Sequence, residues 1–262
     1  MILKNALNRL FALSVLMALM GWNSKEGRPT LSAELLSFCR QFEQLQVDIR
    51  ERNVSPDSAA RAFQTVMRDI QQTMTEIDSC RGEGTTKFVY PVRGYHPKYS
   101  IGGGGRGYRE KNFNLFDMDV QGSHPAHDLF IRDGDQDNLD DRLCQPVDLL
   151  SFSGGVVLAT DTTWQPGSEL RGGKYVWVYD PCLNGLFYYA HNNQVNVVPG
   201  QLVNAGQKLG EIGRTGLNAH MERSPTHVHL MFLRLDNAYL PQPYDPLTWL
   251  LEAEVIKWTV DN

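Results

Sequence analysis

Thr226-His227-Val228-His229-Leu230, continuing as Met231-Phe232-Leu233, decides how the chain is read. It begins a β-like run. In an extended chain, residues two apart point to the same face. Both imidazoles therefore project together, while Val228 and Leu230 enter the packed side. Two histidines on one face beside apolar residues are hard to explain as ordinary surface. A cluster of neutral imidazoles joined by one well-placed carboxylate is what zinc requires.

Working outward, all seven histidines fall between His96 and His229. His124-Pro125-Ala126-His127-Asp128 has an H-x-x-x-D spacing. It can aim an imidazole and a carboxylate at one point, over a helical turn or from a loop into a strand. In Tyr188-Tyr189-Ala190-His191, His191 ends an aromatic strand. The stretch from Phe88 onward consists of short apolar runs separated by Gly, Pro, Asn and Asp, a β-rich pattern. Strands are predicted at Gly155–Ala159, Tyr175–Tyr179, Leu186–Ala190, Lys208–Ile212 and His227–Leu233. Asp245-Pro246 starts a short helix through about Leu251.

Residues 31–80 have a different texture. Leu31, Leu35, Leu36, Phe38, Phe42, Leu45 and Ile49 recur at helix spacing. Ser55-Pro56-Asp57 is a helix start, and Ala59, Ala62, Phe63, Val66, Ile70, Met74 and Ile77 mark a second apolar face. A helical hairpin turning near Asn53 is predicted, as a packing or spacer element or, alternatively, as one that binds a partner or covers the site. The division expected is a signal peptide at 1–21, a helical hairpin region at 22–87 and a β-rich domain at 88–262, giving an α+β chain.

Lys4 and Arg9 precede an apolar run from Leu10 to Met20, the pattern of an export signal. That run is shorter than the roughly 20 residues that span a bilayer. The expected location is periplasmic or extracellular, with no stable membrane insertion once the signal is removed. A 42% hydrophobic content permits a sizeable core. A net charge of -5 and the lack of a basic patch argue against nucleic acid as a partner. The sequence sets no oligomeric state. Four cysteines suit an oxidising compartment. A straight hairpin offsets Cys39 and Cys80 by roughly 20 Å, so Cys144–Cys182 is the preferred pair. Gly102 to Gly107 formally satisfies G-x-G-x-x-G, but lacks the flanking strand and helix and is read as a mobile loop. DGDQDNLDD at 133–141 lacks the glycine and glutamate of a calcium loop and is read as solvated and acidic.

Taken in order, these elements resemble the lysostaphin/LytM-type zinc metallopeptidases. His124 and Asp128 come first, then Pro146-Val147 with Ser153-Gly154-Gly155-Val156-Val157, and then the Tyr-Ala-His strand end at His191. Pro199-Gly200-Gln201-Leu202-Val203-Asn204-Ala205-Gly206-Gln207-Lys208-Leu209-Gly210 follows, then Gly213-Arg214-Thr215-Gly216. His227-Val228-His229 closes the set. The resemblance covers roughly residues 88–250. It implies an antiparallel, barrel-sandwich-type β domain holding one zinc ion, with His124, Asp128 and His229 as ligands and His191 and His227 as catalytic histidines. It implies cleavage of peptidoglycan peptide, at glycyl or D-amino-acid cross-links. Ala126 departs from the family's glycine, and His127 is an extra imidazole that alternation points away from the site, which suggests a structural role. His96 and His220 are extra too. An inactive wall-binding or amidase-activating module of the same fold is the main alternative, and a peptidase of non-wall proteins a third. Every matching ligand position is filled, which favours the enzyme.

Overall fold

Alternation and helix periodicity resolve into ten strands and a few helices in the computed structural model, which describes residues 33–76, 87–120 and 122–258. The expected export segment, Cys80 and residues 81–86 of the expected boundary lie outside the described residues. The elements are α1 (Ala33–Arg50), α2 (Pro56–Glu76), α3 (Pro97–Ser100) and a 3₁₀ turn (Gly102–Gly105). Then come β1 (Ala126–Phe130), β2 (Asp148–Leu150), β3 (Gly155–Asp161), β4 (Tyr175–Asp180), β5 (Gly185–Ala190) and β6 (Asn192–Val195). The chain continues through β7 (Leu202–Val203), β8 (Lys208–Ile212), β9 (His227–Leu235), β10 (Pro241–Pro243) and α4 (Leu247–Glu252).

The strands form two antiparallel sheets. The larger runs β1-β9-β5-β4-β3-β7, with β10 also on β9, and the smaller runs β2-β8-β6. Neither sheet closes on itself, so the α+β class holds while the sheets remain open. β4 is buried along its whole length, as a strand packed on both faces must be. On one face of the large sheet, Val157, Val178, Phe187, Tyr189, Val228 and Leu230 meet Leu149, Leu209 and Ile212 of the smaller sheet. On the other face, Val156, Trp177, Tyr179, Leu186, Met231 and Leu233 meet the helical hairpin.

The hairpin is part of that core. Leu35, Cys39 and Phe42 of α1 and Phe63, Met67 and Ile70 of α2 are fully buried. Met67 is also turned inward, whereas Ala62, expected on the apolar face, is exposed. Phe42 meets Phe63 at 5.9 Å and the edge of Trp177 at 6.1 Å between ring centroids. Polar ties add to this: Arg50 pairs with Asp161 at 2.9 Å, and Gln71 donates to Asn184 at 2.7 Å. Among the described residues no helix is long and apolar enough to cross a membrane.

The preferred Cys144–Cys182 bridge is not formed. Cys144 is a free, exposed thiol and Cys39 a free, buried one, whereas Cys182 is disulfide-bonded. Cys144 lies in the segment tied through Arg132 and Ile131 to Thr226, at the start of β9. Cys182 lies in the turn before Gly185, which pairs with Arg234 near its end. Nine strand residues separate those ends by about 26 Å, far beyond the reach of a disulfide.

Two loops also differ from expectation. Asp133 and Asp140 of the acidic loop are buried. Asp133 accepts from the N–H groups of Asp137 and Asn138 and from the Thr226 hydroxyl. Asp140 accepts from Tyr95 and from the N–H groups of Arg142 and Leu143. The loop thus folds around its own carboxylates instead of holding them all in water. The glycine run, read as a mobile loop, is a defined turn packed on β1. Ile101 bridges to Leu129, and a side chain at Gly102 would meet the Phe130 ring at 2.5 Å.

Candidate metal centre

Three neighbouring chain segments build the site. Asp128 of β1 and His229 of β9 are directly opposed in the register, so their side chains rise side by side on the hairpin-covered face. Ala190, the last residue of β5, is opposite His229 on its other side. The next residue, His191, turns out of the strand with φ of 70°, which brings its ring over the face. His124 lies just before β1, bridged to Arg109. The H-x-x-x-D spacing is therefore realised from a loop into a strand.

The donor atoms are close together. His124 Nε2 lies 3.4 Å from Asp128 Oδ1, and His229 Nδ1 lies 3.1 Å from the same oxygen. One donor from each of the three falls within 4.8 Å of the others. Two ligands bound tetrahedrally to zinc sit roughly 3.3 Å apart, given bonds of about 2.0–2.2 Å. Two imidazoles and a carboxylate at these spacings fit a zinc ion with one position left open. All three side chains are partly exposed. A cavity of about 210 Å³ opens beside them, lined by Gly102, Gly103, Gly107 and Phe130 as well as His124 and Asp128.

The remaining two histidines flank this group. The His191 ring lies 4.8 Å from that of His227 and 5.8 Å from that of His229. His227 Nε2 is 3.7 Å from Asp128 Oδ1. Backbone carbonyls set the tautomers, because a carbonyl can only accept. Nδ1–H of His124 donates to Gly107 O at 3.1 Å, that of His191 to Thr215 O at 2.8 Å and that of His227 to Pro225 O at 2.7 Å. When neutral, His191 and His227 then present a bare Nε2, whereas the Nε2 of His124 faces the Asp128 carboxylate and donates to it when the ring is protonated.

Electrostatics divide the five residues. Burial works to raise the Asp128 carboxyl, but hydrogen bonds from His124 and His229 and the nearby imidazole charge hold it well below the usual carboxylate range. Its hydrogen bond to Asp128 raises the His124 imidazole against the effect of burial. Burial, reinforced by the charges of His227 and His229, pushes His191 well below the usual imidazole range. Burial also lowers His227, outweighing the pull of Asp128. Near neutral pH, His191 and His227 are thus uncharged and able to accept a proton or a hydrogen bond.

Residues 146–241 match the model of peptidase family M23. Over that stretch, 96 of the chain's 262 residues, it is similar to the M23 peptidases. The matched stretch contains His191, His227 and His229, while His124 and Asp128 precede it. No match is found among curated proteins. Among solved structures, the chain is similar to lysostaphin, an antimicrobial peptidase from Staphylococcus simulans, at 19% identity and a TM-score of 0.39. That similarity covers 63% of this chain and 56% of lysostaphin, so this chain spans little more than half of lysostaphin's length. It is similar to LytM from Ruminococcus gnavus at 21% identity, covering 87% of this chain and 94% of that one, with a TM-score of 0.43. A zinc-containing peptidase from Vibrio cholerae has 19% identity, with 64% and 40% covered and a TM-score of 0.35.

The other histidines have separate partners. His96 caps α3, accepting from Lys98 N–H at 3.2 Å. His220 packs edge-on to Trp164 at 5.3 Å. His127 points to the opposite side of β1 and meets Asp245. What sequence reasoning missed around the site is the set of holders: the carbonyls of Gly107, Thr215 and Pro225. A backbone carbonyl carries no residue-type signal. Only the glycines around Gly107 and the Gly213–Gly216 turn hinted that the chain approaches closely there.

Proposed function

We propose that the chain is a zinc-dependent endopeptidase that hydrolyses peptide cross-links of bacterial peptidoglycan. The observation that carries this reading is the convergence of three ligand-type donors within 4.8 Å beside two neutral imidazoles. The M23 match supports it. In this reading His124 Nε2, Asp128 and His229 Nδ1 hold the metal. Zinc, when bound, supplies Lewis acidity and brings the pKa of a water to about 7. His227 Nε2 takes the proton of the attacking water and passes it to the leaving amine nitrogen. His191, its Nδ1–H committed to Thr215 O, accepts a hydrogen bond from that water at Nε2 and so orients it. The substrate lies outside the cytoplasm, so the proposal includes export.

The test is digestion of purified peptidoglycans of different cross-link type by the full chain, with zinc and with a chelator, and mass spectrometry of the products. New amine termini are expected only with metal. Stoichiometric zinc without cleavage of any wall would instead favour a binding or amidase-activating module.

A second measurement probes the seat of His191. Gly216 has φ of 112°, and a Cβ there would lie 2.3 Å from Arg171 O and 2.9 Å from His191 Nδ1. Gly216→Ala is expected to displace the His191 ring while sparing the ligands. Turnover should fall about 100-fold, the scale of an ångström's misplacement, with zinc content unchanged. Full turnover in the folded variant would show that the seat of His191 does not matter.

A further inference from the structure

The reverse side of β1 carries a second polar pair that the reading above does not use. His127 lies between Ala126 and Asp128, and alternation sends it away from the metal group. Its side chain is 1% exposed. A buried imidazole in an otherwise apolar layer is costly unless partnered, and this one is: Nε2 lies 2.7 Å from Asp245 Oδ1. Asp245 in turn accepts from Leu247 N–H at 2.9 Å, at the start of α4. The His127 ring stacks on Tyr108, with centroids 5.6 Å apart and planes 26° apart.

Tyr108 is the residue between the two that hold His124. Gly107 O accepts the His124 Nδ1–H. Arg109 exchanges both backbone hydrogen bonds with His124, at 2.8 and 2.6 Å. The segment Gly107–Arg109 is otherwise a partly exposed loop. Its central ring is anchored by a side chain from β1, which is itself tied to the C-terminal helix.

We propose that His127 is a positioning residue: with Asp245 it holds the Tyr108 ring, and through Gly107 and Arg109 it fixes the tautomer and aim of His124 as a metal ligand. This rests on the reading of His124, Asp128 and His229 as a metal group. Outer partners of a ligating histidine set both its tautomer and its basicity. Here the partner is a carbonyl, and His127 secures the carbonyl's place.

The test uses the full chain with His127→Phe, which keeps a stacking ring and removes the donor, and Asp245→Asn, which keeps a cap for α4. Zinc affinity is measured by competition with a chromophoric chelator. The absorption spectrum of the cobalt-loaded protein reports the ligand field, and metal-free melting reports stability. Zinc binding should weaken roughly 10- to 100-fold in both variants, with an altered cobalt spectrum. A lowered melting temperature with wild-type zinc affinity and an unchanged cobalt spectrum would leave His127 a packing residue and overturn the proposal. Should His127→Phe fail to fold, Asp245→Asn, at a partly exposed position, is judged by the same two outcomes. Wild-type protein that binds neither metal removes the metal reading itself, and this inference with it.

Discussion

Replacing His227 by alanine is expected to leave zinc bound and to lower hydrolysis by about 10²- to 10⁴-fold, the usual contribution of a positioned acid–base group. His227 is not among the three converging donors, yet its Nε2 faces them, 3.7 Å from the Asp128 oxygen. Its other nitrogen is committed to Pro225 O, so the ring is aimed without the metal. His229→Ala removes a donor and is expected to lose the ion and the activity together. Metal analysis of the purified variants, paired with assays of amine release, separates the two. A His227→Ala protein as active as the parent would refute the proton-transfer role.

Phe42→Ala is expected to be the costliest single truncation in the helical hairpin. The ring is fully buried between Phe63 and Trp177. Truncating such a residue costs about 3–5 kcal/mol, combining lost transfer energy with the cavity left behind. For a domain of this size that is about 10 °C in Tm. The loss should appear in a single unfolding transition, because hairpin and sheet share one core. Two separated transitions, with the upper one unmoved, would mean that the hairpin folds apart from the sheet.

The fold was legible where pattern and chemistry coincide. Lys208–Ile212 was read to the residue, and the strands at 155, 175, 186 and 227 fall inside the observed β3, β4, β5 and β9. β1 was not read as a strand because Ala126-His127-Asp128 has no apolar alternation. On one side Asp128 faces His124 and His229, and on the other His127 pairs with Asp245. β7 and β10 are two and three residues long, too short for any periodicity to register. The five residues singled out as a site do come together in the fold, and their roles rest on the experiments above. Their spacing could not show that His191 adopts a left-handed backbone, nor that carbonyls orient three of the rings. The cysteine pairing failed because sequence distance says nothing about which end of β9 each thiol occupies.

Along β9, Met231 stands just two residues beyond His229, and it already belongs to the core beneath the hairpin. Extending the cleft's floor in that direction would uncover Met231 and then Leu233. Exposing each such side chain forfeits about 1.5–3 kcal/mol, taken from a total that for most domains is only about 5–15 kcal/mol. On the proposed reading, how long a stretch of peptide the site can cradle on that flank and how much heat the protein can survive are therefore opposing demands on the same strip of sheet.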